Sequence, residues 1–355
     1  MSAIESLRAV FCGIDNVVVE TTRFNAPADG ELLVRNKASF VCATDLKIVK
    51  NGYFRIKEGE RRVLGHEVSG VVEMVGPSVE NYQEGDAVLI APNLGCGSCE
   101  LCRAGYEHLC AEYEAIGITL DGGFAQHTLV PQRFIRAGNV IRLPQGYNFD
   151  QAALIEPASC CLNAHERIQP RPGDKALVIG AGPIGAFHTL LLKAARLESV
   201  FICDLVQERL EKLSFLAGVE RFCNKDRDLL EYSRQATAGR MFDIVIVANA
   251  SPQCQQIALK VAGIRGRVNF FGGIPKNAGE VPLDTNQIHY KELTVIGTTR
   301  SKVAHFHEVI RLLAETGMTG HLDRWVSAKY TLNRFPDACK AAMQPGNLKV
   351  GFSLD

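Results

Sequence analysis

Residues 175–187 read KALVIGAGPIGAF, an apolar run broken by three glycines and resumed with helical spacing. Gly180, Gly182 and Gly185 form G-x-G-x-x-G, with Pro183 and Ile184 between the last two. Alone such a motif is weak; here it ends a strand-like run and opens a helix-like one, the context it needs. Gly180 permits the tight turn, Gly182 lets the backbone approach a pyrophosphate, and Gly185 lets helix and strand pack closely. The phosphates then sit at the helix N-terminus, where free N–H groups point outward. Asp204 ends the next strand-like run, 19 residues after Gly185, where a carboxylate accepts hydrogen bonds from both ribose hydroxyls. The same charge repels a 2′-phosphate, so NAD is expected rather than NADP. Arg209, a few residues on, either flanks the adenine or only decorates its helix.

Outward from this loop the same grammar continues. From about Pro172, KALVIG, SVFICD, FDIVIVA, GRVNFFGG and LTVIG alternate with the helix-like IGAFHTLLLKAARL, VQERLEKLSFLAG and SPQCQQIALKVAG. Such alternation builds a parallel sheet covered on both faces, an α/β architecture. Before it lie short β-like runs punctuated by glycine and proline, ELLVRNKASFV, HEVSGVVEMVG, DAVLIAP and FAQHTLVP, which predict an irregular, mostly β domain. After Gly297 come one helix-like stretch, HFHEVIRLLAETG, and a short β-like ending, NLKVGFSLD, too little for a third domain. This tail is expected to return to the first domain.

The length of 355 residues itself suggests two domains. The 39 basic residues balance the 39 acidic ones, so the chain as a whole carries no footprint for nucleic acid or a membrane surface, and a small-molecule partner is expected. No apolar run approaches the ~18 residues of a membrane span, and MSAIESLRAVF lacks the basic and apolar regions of a signal peptide, so a cytoplasmic location is expected.

Cys96, Cys99, Cys102 and Cys110 form C-x2-C-x2-C-x7-C. Four sulfurs must converge at about 2.3 Å on one Zn²⁺, which a tight loop with short spacings and a closing fourth ligand achieves. A closed structural zinc is expected. The bacterial iron–sulfur spacing has a three-residue gap before its last cysteine and a proline after it, and this chain has neither. The scattered Cys12, Cys160, Cys161, Cys203, Cys223, Cys254 and Cys339 read as thiols of a reducing compartment.

Cys42 in FVCATDLK, and His66 with Glu67 in LGHEVSG, would by themselves more often be core residues than ligands. With the four-cysteine lobe and the glycine fingerprint following in order, however, the chain resembles the zinc-dependent medium-chain dehydrogenase/reductase family along essentially its whole length. LIEPASCCLNA places Glu156 where classical alcohol dehydrogenases have a second cysteine ligand, so the likeness is to the branch of sorbitol dehydrogenase type. The resemblance implies a Rossmann doubly wound sheet binding NAD over 156–296, and a mostly β, GroES-like catalytic domain over 1–155 and 297–355 that carries the zinc lobe. It implies a catalytic zinc on Cys42 and His66, with Glu67 and Glu156 completing the shell directly or through water. A carboxylate in place of a thiolate makes the site harder and suits oxygen ligands. It implies further that Thr44 relays a proton, although its hydroxyl could simply satisfy local backbone. Arg300, after the last sheet strand, is implied to hold substrate hydroxyls; an ordinary surface arginine is the alternative. Lys47 stands where many relatives have histidine, which puts a histidine relay in doubt.

The implied reaction passes hydride from a secondary alcohol of a polyol, cyclitol or sugar derivative to NAD. The alternatives are an anionic sugar, phosphate or acid, and an amino-alcohol such as threonine. The stretch holding Lys47, Lys50, Arg55, Lys57, Arg61 and Arg62 is either a solvated face or the seat of a substrate anion. Relatives of this kind assemble as homodimers or homotetramers, the expectation here as well.

Overall fold

The computed structural model describes residues 3–197, 199–275 and 278–354. Its contacts divide the chain into two compact units. One runs to Glu156 and is completed by Ser301–Ile310 and the chain from Thr319 on; the other holds Pro157–Arg300 and Arg311–Met318.

In the second unit six strands pair in parallel, in the order Val219–Cys223, Ser199–Asp204, Lys175–Ile179, Phe242–Val247, Ala262–Phe270 and Thr294–Gly297. Numbered along the chain this is 3-2-1-4-5-6, the order of a Rossmann sheet. Lys175–Ile179 and Phe242–Val247 are central and almost wholly buried, which is why they read as unbroken apolar runs rather than alternating ones. The helices Pro183–Ala194 and Pro252–Val261 are among those that pack on the sheet. Sequence periodicity finds five of the strands and misses Val219–Cys223. That segment, VERFC, lies at the sheet edge with Glu220 and Arg221 exposed, so it lacks the apolar run of its neighbours.

In the first unit the hairpin Ile4–Gly13 and Asn16–Phe24 leads into a seven-stranded sheet. Its path is Val140–Arg142, Ala87–Ile90, Glu67–Val75, Leu32–Phe40, Lys349–Phe352 and Val326–Tyr330, with His127–Val130 also on Leu32–Phe40. The C-terminal strand pairs antiparallel with Leu32–Phe40, setting Gly351 opposite Phe40. Phe124, Phe335 and Phe352 pack together in the core beneath, with ring centroids 5.0 to 5.7 Å apart. Among the described residues no helix is long and apolar enough to cross a membrane.

Candidate metal centres and dinucleotide site

Two clusters of metal-ligating side chains occur among the described residues, both in the first unit. In the lobe, Cys99 and Cys110 have sulfurs 3.9 Å apart, and Cys96 and Cys102 4.0 Å. Four sulfurs bound at ~2.3 Å around a tetrahedral zinc stand about 3.8 Å from one another. A disulfide needs about 2.0 Å, so these thiols are arranged for an ion and not for oxidation. Backbone amides aim at the sulfurs: Cys99 N donates to Cys96 Sγ, Cys102 N to Cys99 Sγ and Cys96 N to Cys110 Sγ, each at 3.4 Å. Hydrogen bonds from Ser98, then from the Cys99 amide, bring Cys96 down to about 6. Burial meanwhile pushes Cys102 up to about 12. A cation is what lets all four ionise together.

The second cluster is built from three segments of sheet and helix. Cys42 is the extended residue that starts the helix Ala43–Asn51, separated from the strand Leu32–Phe40 by Val41 alone. Phe40 pairs with Glu67, so strand register carries His66 and Glu67 beside Cys42. The ligand atoms of Cys42, His66 and Glu67 all lie within 4.8 Å of one another. Glu156 is buried in the first turn of the helix Ile155–Ile168 and stands outside that three-residue set, though its charge acts on Glu67. Thr44 is half-buried on the Cys42 helix, and Lys47 is exposed there.

Two neighbours that sequence reasoning passed over complete this centre. Asp45 accepts from Cys42 N at 2.9 Å, and its other oxygen is 3.3 Å from His66 Nδ1, off the angle of a good hydrogen bond. Such a carboxylate behind an imidazole fixes the ring's orientation. The signal was present as an acid three residues after the cysteine at a helix start. Lys349 is buried, with Nζ 2.5 Å from Glu67 Oε1 and 3.0 Å from Val41 O. Only its place inside an apolar run, NLKVGFSLD, hinted at burial.

The electrostatics of this centre suit a divalent cation. Burial, the largest influence on His66, disfavours the imidazolium, yet Asp45 and Cys42 together hold it well above its ordinary value. Burial also raises Glu67, to about 7, with Glu156 adding to the rise and Lys349 opposing it. Glu67 Oε2 has no hydrogen-bond partner although it is buried. A pocket that draws a proton onto a buried imidazole and keeps a carboxylate oxygen bare is short of positive charge.

In the second unit the dinucleotide loop has the expected form. Gly180 adopts φ +109°, and a Cβ on Gly185 would fall on the Gly180 carbonyl oxygen, so both positions require glycine. A Cβ on Gly182, by contrast, would meet nothing within 4 Å, leaving the open cradle that a pyrophosphate fills. Pro183 and Ile184 begin the following helix. Asp204 is buried at its strand end and accepts from Ala181 N at 2.7 Å and Val206 N at 2.9 Å. Arg209 reaches Asp204 at 3.4 Å. Arg300 follows the last strand with a left-handed backbone, φ +57°.

The basic stretch is largely committed within the chain. Arg55 donates to the carbonyls of Tyr113, at 2.6 Å, and Ala111, and its guanidinium lies 4.5 Å from the Tyr113 ring centroid. Arg61 pairs with Glu20 at 2.5 Å, and Arg62 with Asp121 at 3.5 Å. Lys47, Lys50 and Lys57 are exposed.

A glycine-looped parallel sheet in one unit, with a closed thiol lobe and a Cys-His-Glu centre in the other, defines the class: a zinc-dependent dehydrogenase that uses a dinucleotide. Residues 28–145 match the alcohol dehydrogenase GroES-like domain, and residues 183–315 the zinc-binding dehydrogenase family. The chain is 29% identical over 346 residues to the sorbitol dehydrogenase of Bacillus subtilis, covering 96% of this chain and 95% of that one. It is 30% identical over 334 residues to the L-threonine 3-dehydrogenase of Pyrococcus abyssi, covering 92% of each. A dehydrogenase structure from Escherichia coli complexed with NADH superposes with a TM-score of 0.87 at 25% identity, over 98% of this chain and 99% of that one. The chain belongs to the zinc-dependent medium-chain dehydrogenases, in their polyol dehydrogenase-like branch.

Proposed function

We propose that the protein oxidises a secondary hydroxyl of a neutral polyol or cyclitol with NAD as acceptor. The observation that carries this reading is the ligand set, one thiolate and one imidazole with two buried carboxylates, Glu67 and Glu156, which favours oxygen-rich ligands over a second sulfur. Cys42, His66 and Glu156 would hold the catalytic zinc, Glu67 would join them directly or through water, and Cys96, Cys99, Cys102 and Cys110 would hold the structural one. When bound, the catalytic zinc supplies Lewis acidity toward the alcohol oxygen, and NAD accepts the hydride.

The chain's own groups do the rest. Asp45 keeps His66 in its ligand orientation, and Lys349 pins one oxygen of Glu67. Thr44 takes the hydroxyl proton of the substrate and passes it toward solvent, and Arg300 donates to a neighbouring substrate hydroxyl. Asp204 would accept from the ribose hydroxyls of NAD and oppose a 2′-phosphate, and Arg209, beside Asp204, would flank the adenosine end. The likeness to sorbitol dehydrogenase supports a polyol. The pairing of Arg55, Arg61 and Arg62 within the chain weighs against an anion clamp built from them. Assembly as a homodimer or homotetramer in the cytosol belongs to the same reading, and light scattering of the purified protein tests the assembly.

The deciding experiment is an NADH-absorbance screen of D-sorbitol, myo-inositol, sorbitol 6-phosphate and L-threonine with NAD and with NADP. The highest kcat/KM is expected for a neutral polyol or cyclitol with NAD. A preference for L-threonine or for the phosphate ester would overturn the substrate reading, and a preference for NADP the cofactor reading.

A further inference from the structure

Arg300 is an unusual residue to find in the left-handed region, because its Cβ crowds the backbone there unless neighbouring structure holds it. The sheet pairing has already ended at Gly297, so the carbonyls of Thr299 and Arg300 need donor partners from elsewhere. Asn163 supplies them. Its Nδ2 donates to Arg300 O at 2.9 Å and to Thr299 O at 3.2 Å, using both hydrogens of one amide group on two successive carbonyls. Asn163 is itself 7% exposed and sits on the helix Ile155–Ile168, a rigid element whose first turn carries Glu156. The backbone angle at residue 300 sets the direction in which the Arg300 side chain leaves the chain.

We infer that Asn163 is a positioning residue for substrate binding, acting by holding the Thr299–Arg300 turn so that the Arg300 guanidinium is delivered to a substrate hydroxyl. This rests on the role proposed above for Arg300. It separates Asn163 from an ordinary turn-satisfying amide by what it controls: removing its donors disturbs substrate affinity more than turnover, and does so only while Arg300 is present.

The test is Asn163→Asp, which keeps the side chain's shape and removes both donors, combined in a cycle with Arg300→Ala. Kinetics are read with whichever of D-sorbitol, myo-inositol, sorbitol 6-phosphate and L-threonine gives the highest kcat/KM, NADH binding by fluorescence titration, and the turn by a crystal structure of the Asn163→Asp protein. Asn163→Asp is expected to raise substrate KM about tenfold with a smaller change in kcat, since misplacing a binding group by about 1 Å is costly. NADH affinity should stay within about twofold, because the dinucleotide loop is untouched. In the Arg300→Ala background Asn163→Asp should add nothing to KM, and in the crystal residue 300 should leave the left-handed region. If the Asp variant fails to fold, Asn163→Ser, a shorter single donor, should give an intermediate KM. Arg300 unmoved in the Asn163→Asp crystal would overturn the inference whatever the substrate, as would a wild-type KM in Asn163→Asp when Arg300→Ala raises it. If Arg300→Ala itself leaves KM unchanged, the role of Arg300 falls and this inference with it, while the zinc and NAD assignments stand.

Discussion

Lys349 and Glu67 meet 282 residues apart in the chain, both buried, and the pair exists only because one unit closes its sheet with the C-terminal strand. Removing one member of a buried ion pair leaves a charge without compensation, which costs about 3–5 kcal/mol. Lys349→Met is therefore expected to lower unfolding free energy by that order in a urea titration, and Glu67→Gln in the same chain to restore part of it. No restoration would mean that the lysine acts by packing alone. Asp204 has a different task. Its carboxylate already accepts from two backbone amides, so Asp204→Ala should loosen the glycine loop as well as remove the ribose acceptor. NAD affinity should fall, and the ratio of kcat/KM for NAD over NADP should drop by about tenfold or more, as expected when a repulsive group is deleted. An unchanged ratio would separate Asp204 from cofactor choice.

At the scale of elements, the helix Ile155–Ile168 and the glycine-loop helix Pro183–Ala194 share a buried imidazole pair. His165 Nε2 lies 3.0 Å from His188 Nδ1, and Phe271 packs edge-on against His188 at 4.7 Å. One ring donates and the other accepts, an arrangement that needs the accepting imidazole to be neutral and is lost once both rings are protonated. Burial carries His165 down to about 3, and burial, helped by the neighbouring His165, carries His188 well below its usual 6.5. Because the folded values lie below the unfolded one, the stabilisation is complete above about pH 6.5 and is lost as pH falls, at ~1.4 kcal/mol per pH unit for each ring. Urea titrations at pH 7 and pH 5 should thus differ by about 2 kcal/mol for His165, with His188 adding in the same direction, and His188→Leu should flatten the slope. A slope unaltered by that change would assign the acid sensitivity to other groups.

The whole molecule should hold two zinc ions per chain in two different states. The lobe offers four sulfurs and no open position, whereas the Cys42 centre combines sulfur, nitrogen and oxygen. Metal analysis is expected to find about two zinc per chain in the wild type and about one in His66→Ala, which should lose turnover but keep NADH binding and thermal stability. Cys99→Ser should also fall to about one zinc, with a lowered Tm as the lobe loses its cross-link. Equal thermal losses in both variants would remove the distinction between a structural and a catalytic ion.

Legible before any folding is what short range decides. The glycine loop, its strand and helix and the acid of the next strand lie within thirty residues, and the four lobe cysteines within fifteen, so local chain geometry alone brings each set together. Buried central strands were equally legible, because two covered faces leave an unbroken apolar run. The Cys42, His66 and Glu67 cluster was visible through family likeness rather than spacing, since separate elements supply it. Tertiary structure alone decided the rest: VERFC as an edge strand, Lys349 on Glu67, Asn163 on the Arg300 turn, and the capture of Arg55, Arg61 and Arg62 by partners that no local pattern names. The physical reason is that contacts between distant segments arise from strand register and helix packing, and a charged side chain in the sequence carries no mark of whether its partner will be water, a substrate or its own chain.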